Sequence, residues 1–155
     1  MWIDRDISNL LTENSDPIQI LRGPRQCGKS SLILHLDPSF KEISLDDSSL
    51  RQLAQSDPEL FLKQFGKDNL FIDEAQYAPN LFPSLKRKID LYKRENKSHK
   101  TIIRLTGSNQ ILLDHQIKES LAGRASFFDL NTLSIHEILH SQKNNPGYYV
   151  HWWMA

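Results

Sequence analysis

Apolar residues in this chain fall into short clusters separated by turn-forming and charged residues, and successive clusters change period. Ile18-Gln19-Ile20-Leu21, entered through Asp16-Pro17, reads as a short strand. The run Ser31-Leu32-Ile33-Leu34-His35-Leu36, ended by Asp37-Pro38, predicts a buried helix. Lys41 to Leu45 is a second strand closed by Asp46-Asp47, after which Ser48-Ser49 opens a helix to about Ala54. Asp57 as N-cap, Pro58 at the first helical position and Gly66 as the stop frame another helix. Asn69 to Glu74 and Thr101 to Thr106 predict two more strands, and Ala125 to Leu130 a last one. Between them, the stripe Leu81, Phe82, Leu85, Ile89 and Tyr92 recurs at helical spacing. A weaker pattern at Ile7, Leu10 and Leu11 predicts a helix over residues 5–13 beside the core. Strands alternating with helices predict a parallel sheet covered on both faces.

Composition adds bounds. The chain has 155 residues, the size of one domain, with 39% hydrophobic and 25% charged residues. A formal net charge of zero gives no global attraction to nucleic acid or to an anionic membrane. The single cysteine, Cys27, excludes an intrachain disulfide and suits a reducing, cytoplasmic setting. No apolar run is long enough to span a bilayer, and Met1 to Asp6 lacks a signal-peptide pattern, so no membrane association is expected.

The candidate chemistry begins at Gly23-Pro24-Arg25-Gln26-Cys27-Gly28-Lys29-Ser30, a match to G-x-x-x-x-G-K-[ST]. Such a loop turns successive backbone N–H groups onto phosphate oxygens, and the helix that follows points its positive end at the same anion. Lys29 would carry charge to the outer phosphates, the Ser30 hydroxyl would serve Mg²⁺, and the nucleotide would lie along Gly23 to Ser31. The strand before the loop and the apolar helix after it are the context this motif requires.

A second landmark follows. The strand through Phe71-Ile72 delivers Asp73 and Glu74 to its C-terminal end, the edge at which open α/β sheets bind ligands. Asp73 would hold Mg²⁺ through a water, and Glu74 would orient or deprotonate an attacking water. Taken alone, the pair reads first as a cap for the next helix, and it is the glycine loop earlier in the chain that turns the reading towards Mg²⁺. Ser108 and Asn109, after the strand ending at Thr106, are candidates for contact with the terminal phosphate, although Gly107-Ser108-Asn109 is also ordinary turn chemistry. Arg124, ahead of the last strand, is either a surface residue or a group that reaches a neighbouring subunit's nucleotide.

Three further features compete. Lys86, Arg87, Lys88, Lys93, Arg94, Lys97 and Lys100 make a basic face, interrupted by Asp90 and Glu95, that reads as a solvated surface ahead of a nucleic-acid contact. His136-Glu137-Ile138-Leu139-His140 spells H-E-x-x-H, the spacing of a zinc hydrolase. Against zinc, Ser134 and Glu137 form a capping box, Ile135, Ile138 and Leu139 a core stripe, and only His151 remains as a third ligand. Residues 141–155 are read as a tail, with Tyr148, Tyr149, Trp152 and Trp153 packing on the domain or on a partner, leaving a core over 1–140. A guanine-specific N-K-x-D motif is missing, since His99 stands where the aspartate of Asn96-Lys97-Ser98 belongs.

With these residues laid out, the chain resembles a family of prokaryotic ATPases of the AAA-plus class, whose ATPase module is usually followed by a C-terminal domain of uncharacterised function. The matching stretches are GPRQCGKS at Gly23 to Ser30, SLDD at Ser44 to Asp47, FIDEAQYAP at Phe71 to Pro79, LTGSN at Leu105 to Asn109 and SLAGR at Ser120 to Arg124. They occur in family order over about residues 5 to 140. The resemblance implies ATP with Mg²⁺, a P-loop NTPase three-layer sandwich with a parallel five-stranded sheet, and hydrolysis with Lys29 and Glu74 as principal catalytic groups. By position it makes Ser108 or Asn109 the sensor and Arg124 a finger acting across a homo-oligomer. The small helical lid that such modules carry has no counterpart before Ala155, so a truncated module, or one that binds ATP as a switch and turns it over poorly, is the alternative expectation. Cys27, at a helix N-terminus within the loop, reads first as a tolerated small residue, yet its thiol is expected to be alkylated with loss of nucleotide binding and to be protected by ATP·Mg²⁺.

Overall fold

The computed structural model describes residues 2–65, 69–95, 100–107 and 121–144. The expected helix stop at Gly66, the candidates Ser108 and Asn109, Lys97 of the basic face, and the aromatic tail with His151 lie outside them.

Elements follow in the order α1 (Ser8–Glu13), β1 (Ile18–Arg22), α2 (Lys29–Leu36), β2 (Lys41–Ser44), α3 (Ser48–Ser56), α4 (Pro58–Phe65) and β3 (Leu70–Asp73). After a 3-10 turn at Ala75–Tyr77 come α5 (Leu81–Glu95), β4 (Ile103–Gly107), β5 (Ala125–Asp129) and α6 (Ile135–Asn144). The expected helices and strands are present with ends shifted by a few residues. The last helix runs four residues past the expected boundary at 140.

All strand pairs are parallel, and the five strands lie in the order β2-β3-β4-β1-β5. This is the expected P-loop three-layer sandwich. Placing β4 between β1 and β3 brings the ends of three strands from distant parts of the sequence onto one edge.

Side-chain alternation builds the two faces. Ile18, Ile20, Leu70, Ile72, Ile103 and Leu105 share one cluster with residues of α3, α4 and α5. Their neighbours Leu21 and Phe71 point the other way, into a cluster with Leu11, Leu32, Ile33 and Leu130. On α5 most of the predicted stripe is buried, with Tyr92 half-buried and Leu81, Phe82, Leu85 and Ile89 all at 0% exposure. Each such side chain contributes roughly 1.5–3 kcal/mol through removal from water. Asp57 caps its helix as expected, accepting from Leu60 N–H at 2.9 Å, whereas the preceding helix is capped by Asp47, read only as strand closure, which accepts from the N–H groups of Ser49 and Leu50.

The α6 stripe departs from expectation. Ile135 and Leu139 are 76% and 53% exposed, while Glu137 is buried. The expected capping box is present, with Ser134 N–H donating to Glu137 at 2.7 Å and Glu137 N–H donating to Ser134 Oγ at 3.1 Å. Arg5 supplies the reason for the inverted burial. Its Nε donates to Glu137 Oε1 at 2.9 Å, so the helix turns its carboxylate inward.

The phosphate loop meets this frame closely at two points. Gly23 has φ of 157°, and a Cβ there would stand 1.9 Å from the Leu130 carbonyl oxygen. Gly23→Ala is expected to destabilise the fold by about 3 kcal/mol, read as a fall in urea midpoint at constant slope; an unchanged midpoint would contradict this close approach. The Cys27 side chain is only 6% exposed and its Sγ lies 3.4 Å from the Leu130 carbonyl oxygen, in the cluster with Leu21 and Leu32. This burial corrects the expectation of a reactive thiol. Iodoacetamide should label the folded chain far more slowly than the urea-unfolded chain, with equal rates as the contrary result.

Candidate functional site

The loop between β1 and α2 closes on itself through Lys29. This side chain is 6% exposed, and its Nζ donates to the carbonyls of Gly23 at 3.0 Å and Pro24 at 2.8 Å. Gln26 (φ 61°) and Gly28 (φ 92°) both take left-handed backbone, which allows so tight a curl. Helix α2 starts immediately after, so its first-turn N–H groups and the positive end of its dipole adjoin the loop.

Ser30, in the first turn of α2, donates its hydroxyl to Asp73 Oδ1 at 3.0 Å. Asp73 ends β3, and Thr106, near the end of the adjacent β4 and fully buried, donates its hydroxyl to the same carboxylate oxygen. The two sequence landmarks therefore converge. Thr106 was not among the sequence-based candidates. Its signal was its place in the stretch Leu105 to Asn109, one register step beyond the Ile72–Leu105 pair.

The carboxylate charge is felt along the sheet. Partial burial and the charge of Asp73 push the Glu42 carboxyl above its ordinary value. A carboxyl group beside a serine hydroxyl is a hard oxygen donor set, which fits Mg²⁺.

Glu74 follows with φ 56° and ψ 44°, a left-handed conformation that costs a non-glycine residue on the order of 1–2 kcal/mol. Its Oε2 accepts from the Gln76 side-chain amide. Arg25, Gln26, Gly28, Lys29, Ser30, Ser31 and Glu74 line one cavity of about 560 Å³, together with Asp46. Asp46, just beyond β2, is a second residue missed by sequence reasoning, which read it only as strand closure. Arg25 Nη2 lies 3.3 Å from the Tyr77 hydroxyl at the rim, and the Arg51 guanidinium covers the Tyr77 ring at 4.2 Å. A neighbouring cavity of about 610 Å³ shares Gln26, Gly28 and Ser31 and is walled by Trp2, Ile3 and Leu133.

The remaining candidates lie elsewhere. Arg124 precedes β5, and its carbonyl accepts from Ile18 N–H at the start of β1. It therefore sits at the sheet edge opposite the phosphate loop, about 17 Å away at the usual rise of a five-residue strand. Asp90 of α5 holds its guanidinium in two hydrogen bonds of 2.6 and 3.0 Å. Hydrogen bonding to Arg124 lowers the Asp90 pKa, and the same pairing raises that of Arg124. Within its own chain Arg124 is a structural anchor between α5 and β5.

On the basic face of α5, Arg87 pairs with Glu59 of α4, and Lys93 donates to the Gly123 carbonyl at 3.4 Å. The zinc pattern is not assembled. Glu137 accepts from Arg5, from Asp6 N–H at 3.0 Å and from Ser134, so its carboxylate is already committed to structural hydrogen bonds. Burial alone would push the Glu137 carboxyl up, but these hydrogen bonds hold it below the ordinary carboxylate range. Among the described residues, no group of three His, Cys, Asp or Glu side chains is arranged to hold a metal. Nor is any described helix long and apolar enough to cross a membrane.

Comparison with known proteins agrees with this arrangement. A model of the AAA domain matches residues 15–139. Uncharacterised proteins of Mycobacterium bovis and Mycobacterium tuberculosis are each 34% identical over 124 residues, covering 79% of this chain and 26% of the relative. The chain thus spans about a quarter of the length of these curated relatives. Among solved structures, the Walker-type ATPase PABY2304 of Pyrococcus abyssi superposes with a TM-score of 0.61 at 20% identity, over 92% of this chain and 57% of that one. That likeness supports the fold. The loop-to-strand convergence and the match over most of its length identify the chain as a member of the AAA domain family, with the nucleotide-binding core that the family implies.

Proposed function

We propose that this chain binds ATP with Mg²⁺ and hydrolyses it to ADP and phosphate. The observation that carries this reading is the 3.0 Å contact between Ser30 and Asp73, residues of two motifs 43 positions apart in sequence. It unites the hydroxyl and the carboxylate that a phosphate-bound divalent cation requires. When bound, Mg²⁺ supplies positive charge that neutralises the phosphate oxygens and the charge developing on the leaving group.

The rest is the work of the chain's own residues. Backbone N–H groups of the loop and of the first turn of α2 hold the phosphates, and Ser31 lies beside them on the cavity wall. Lys29 exchanges the carbonyls of Gly23 and Pro24 for phosphate oxygens, so its charge moves little on binding. Ser30 and Asp73 would hold the cation, and Thr106 fixes the Asp73 carboxylate. Glu74, pinned by its strained backbone and by Gln76, orients the attacking water and takes its proton as the water oxygen bonds to the terminal phosphorus. The bond from that phosphorus to the bridging oxygen breaks, and ADP leaves with the electron pair. The neighbouring cavity, with Trp2, Ile3 and Leu133, suits the base.

Phosphate release by purified protein tests this reading. Lys29→Ala should weaken ATP binding at least tenfold and abolish turnover, by loss of a direct charge on phosphate. Glu74→Gln should keep binding and lower kcat by roughly 10²–10⁴-fold, the usual range for removing a general base. Binding of ATP·Mg²⁺ without phosphate release above the Lys29→Ala background would refute hydrolysis and leave a nucleotide-binding module.

A further inference from the structure

One buried ion pair holds the backbone of the phosphate loop, and its arginine also lines the neighbouring cavity assigned to the base. Arg5 and Glu137 are 8% and 6% exposed and 132 positions apart in sequence. The Arg5 guanidinium serves three acceptors: Nε to Glu137 at 2.9 Å, Nη1 to the Cys27 carbonyl at 2.9 Å, and Nη2 to the Asn131 carbonyl at 2.6 Å. Glu137 is in turn fixed by the N–H groups of Asp6 and Ser134. The segment that carries Arg5 is anchored on both sides. Trp2 stacks on His35 of α2 with ring centroids 3.8 Å apart, and Asp6 lies 3.4 Å from His136 of α6.

The Cys27 carbonyl belongs to the same peptide unit as the Gly28 N–H. In a planar trans peptide these two groups point in opposite directions. Holding the carbonyl against Arg5 therefore aims the Gly28 N–H away from Arg5. Gly28 lines the phosphate cavity at φ of 92°, and glycine tolerates rotation of the adjoining peptide better than any other residue. A flipped peptide would present a carbonyl oxygen, instead of a donor, to an incoming anion.

We propose that Arg5 is a positioning residue for the phosphate loop, locking the Cys27–Gly28 peptide so that the Gly28 N–H faces the nucleotide phosphates, with Glu137 holding the guanidinium in register. The inference rests on reading the loop as a nucleotide site. Because Glu137 neutralises Arg5, the effect is one of orientation. It requires the planar fork of arginine, since a lysine ammonium does not reach three separated acceptors in that geometry.

The test is ADP·Mg²⁺ and ATP·Mg²⁺ affinity by calorimetry, with amide spectra of ¹⁵N-labelled protein, for the wild-type chain, Arg5→Lys, Glu137→Gln and Lys29→Ala. Arg5→Lys should bind both nucleotides roughly tenfold or more weakly, the scale of losing a charge-assisted hydrogen bond. The Gly28 amide resonance should shift on adding ADP·Mg²⁺ to the wild-type chain, and that shift should be lost in Arg5→Lys. A merely structural cross-link would lower the melting temperature while leaving the folded protein's affinity and its Gly28 shift unchanged. If Arg5→Lys does not fold, Glu137→Gln reads the same two quantities, with a loss of roughly threefold or more expected. Wild-type affinity and a wild-type Gly28 shift in the folded variant, while Lys29→Ala loses binding, would overturn the role of Arg5 and leave the nucleotide site standing. A wild-type chain that binds neither nucleotide would overturn both.

Discussion

The hydroxyl of Ser30 and the carboxylate of Asp73 meet at 3.0 Å on one edge of a parallel sheet. The meeting depends on strand order: β1 feeds the loop that carries Ser30, β3 ends in Asp73, and β4 lies between them with Thr106 beside the carboxylate. A parallel sheet directs every strand's C-terminal end to that edge, so residues far apart in sequence become neighbours without a long loop. Burial of the sequence neighbours Phe71 and Ile72 on opposite faces of β3 anchors the strand that carries Asp73 to apolar layers on both sides.

Around that contact, charge is arranged in opposition. Lys29 and the start of α2 bring positive potential to the loop, while Asp46 and Glu74 line the same cavity and Asp73 accepts from Ser30 of its wall. Such a site suits a polyanion carried with a divalent cation better than either partner alone. The strained backbone at Glu74 is consistent with this: an unfavourable conformation persists where surrounding structure over-determines it, and such residues gather at functional sites. Arg124, by contrast, is satisfied by Asp90 at the far edge of the sheet.

The fold and the loop were legible because each rests on local pattern. Period-two apolar runs, a proline after Asp57 and a glycine loop before an apolar helix are all decided by near neighbours in sequence. Asp73 and Glu74 were legible because a strand end with two carboxylates, downstream of such a loop, has few other uses. Arg5 and Glu137 were not. Their pairing spans most of the chain, and nothing beside either residue announces it. The same pairing overrode the apolar stripe of α6, because a buried carboxylate with an arginine and two N–H donors outweighs the exposure of Ile135 and Leu139. Thr106 and the left-handed Glu74 depend on register and backbone, which residue types alone do not specify.

If the loop and Asp73 form one cation-assisted nucleotide site, the affinity for ATP must depend on both together. Titration of ATP into the wild-type chain and Asp73→Asn, each with Mg²⁺ and with chelator, addresses this most directly. Mg²⁺ should tighten ATP binding to the wild-type chain, and Asp73→Asn should lose most of this enhancement while keeping the weaker cation-free binding. Equal enhancement in both proteins, or no ATP binding by the wild-type chain, would contradict a shared site.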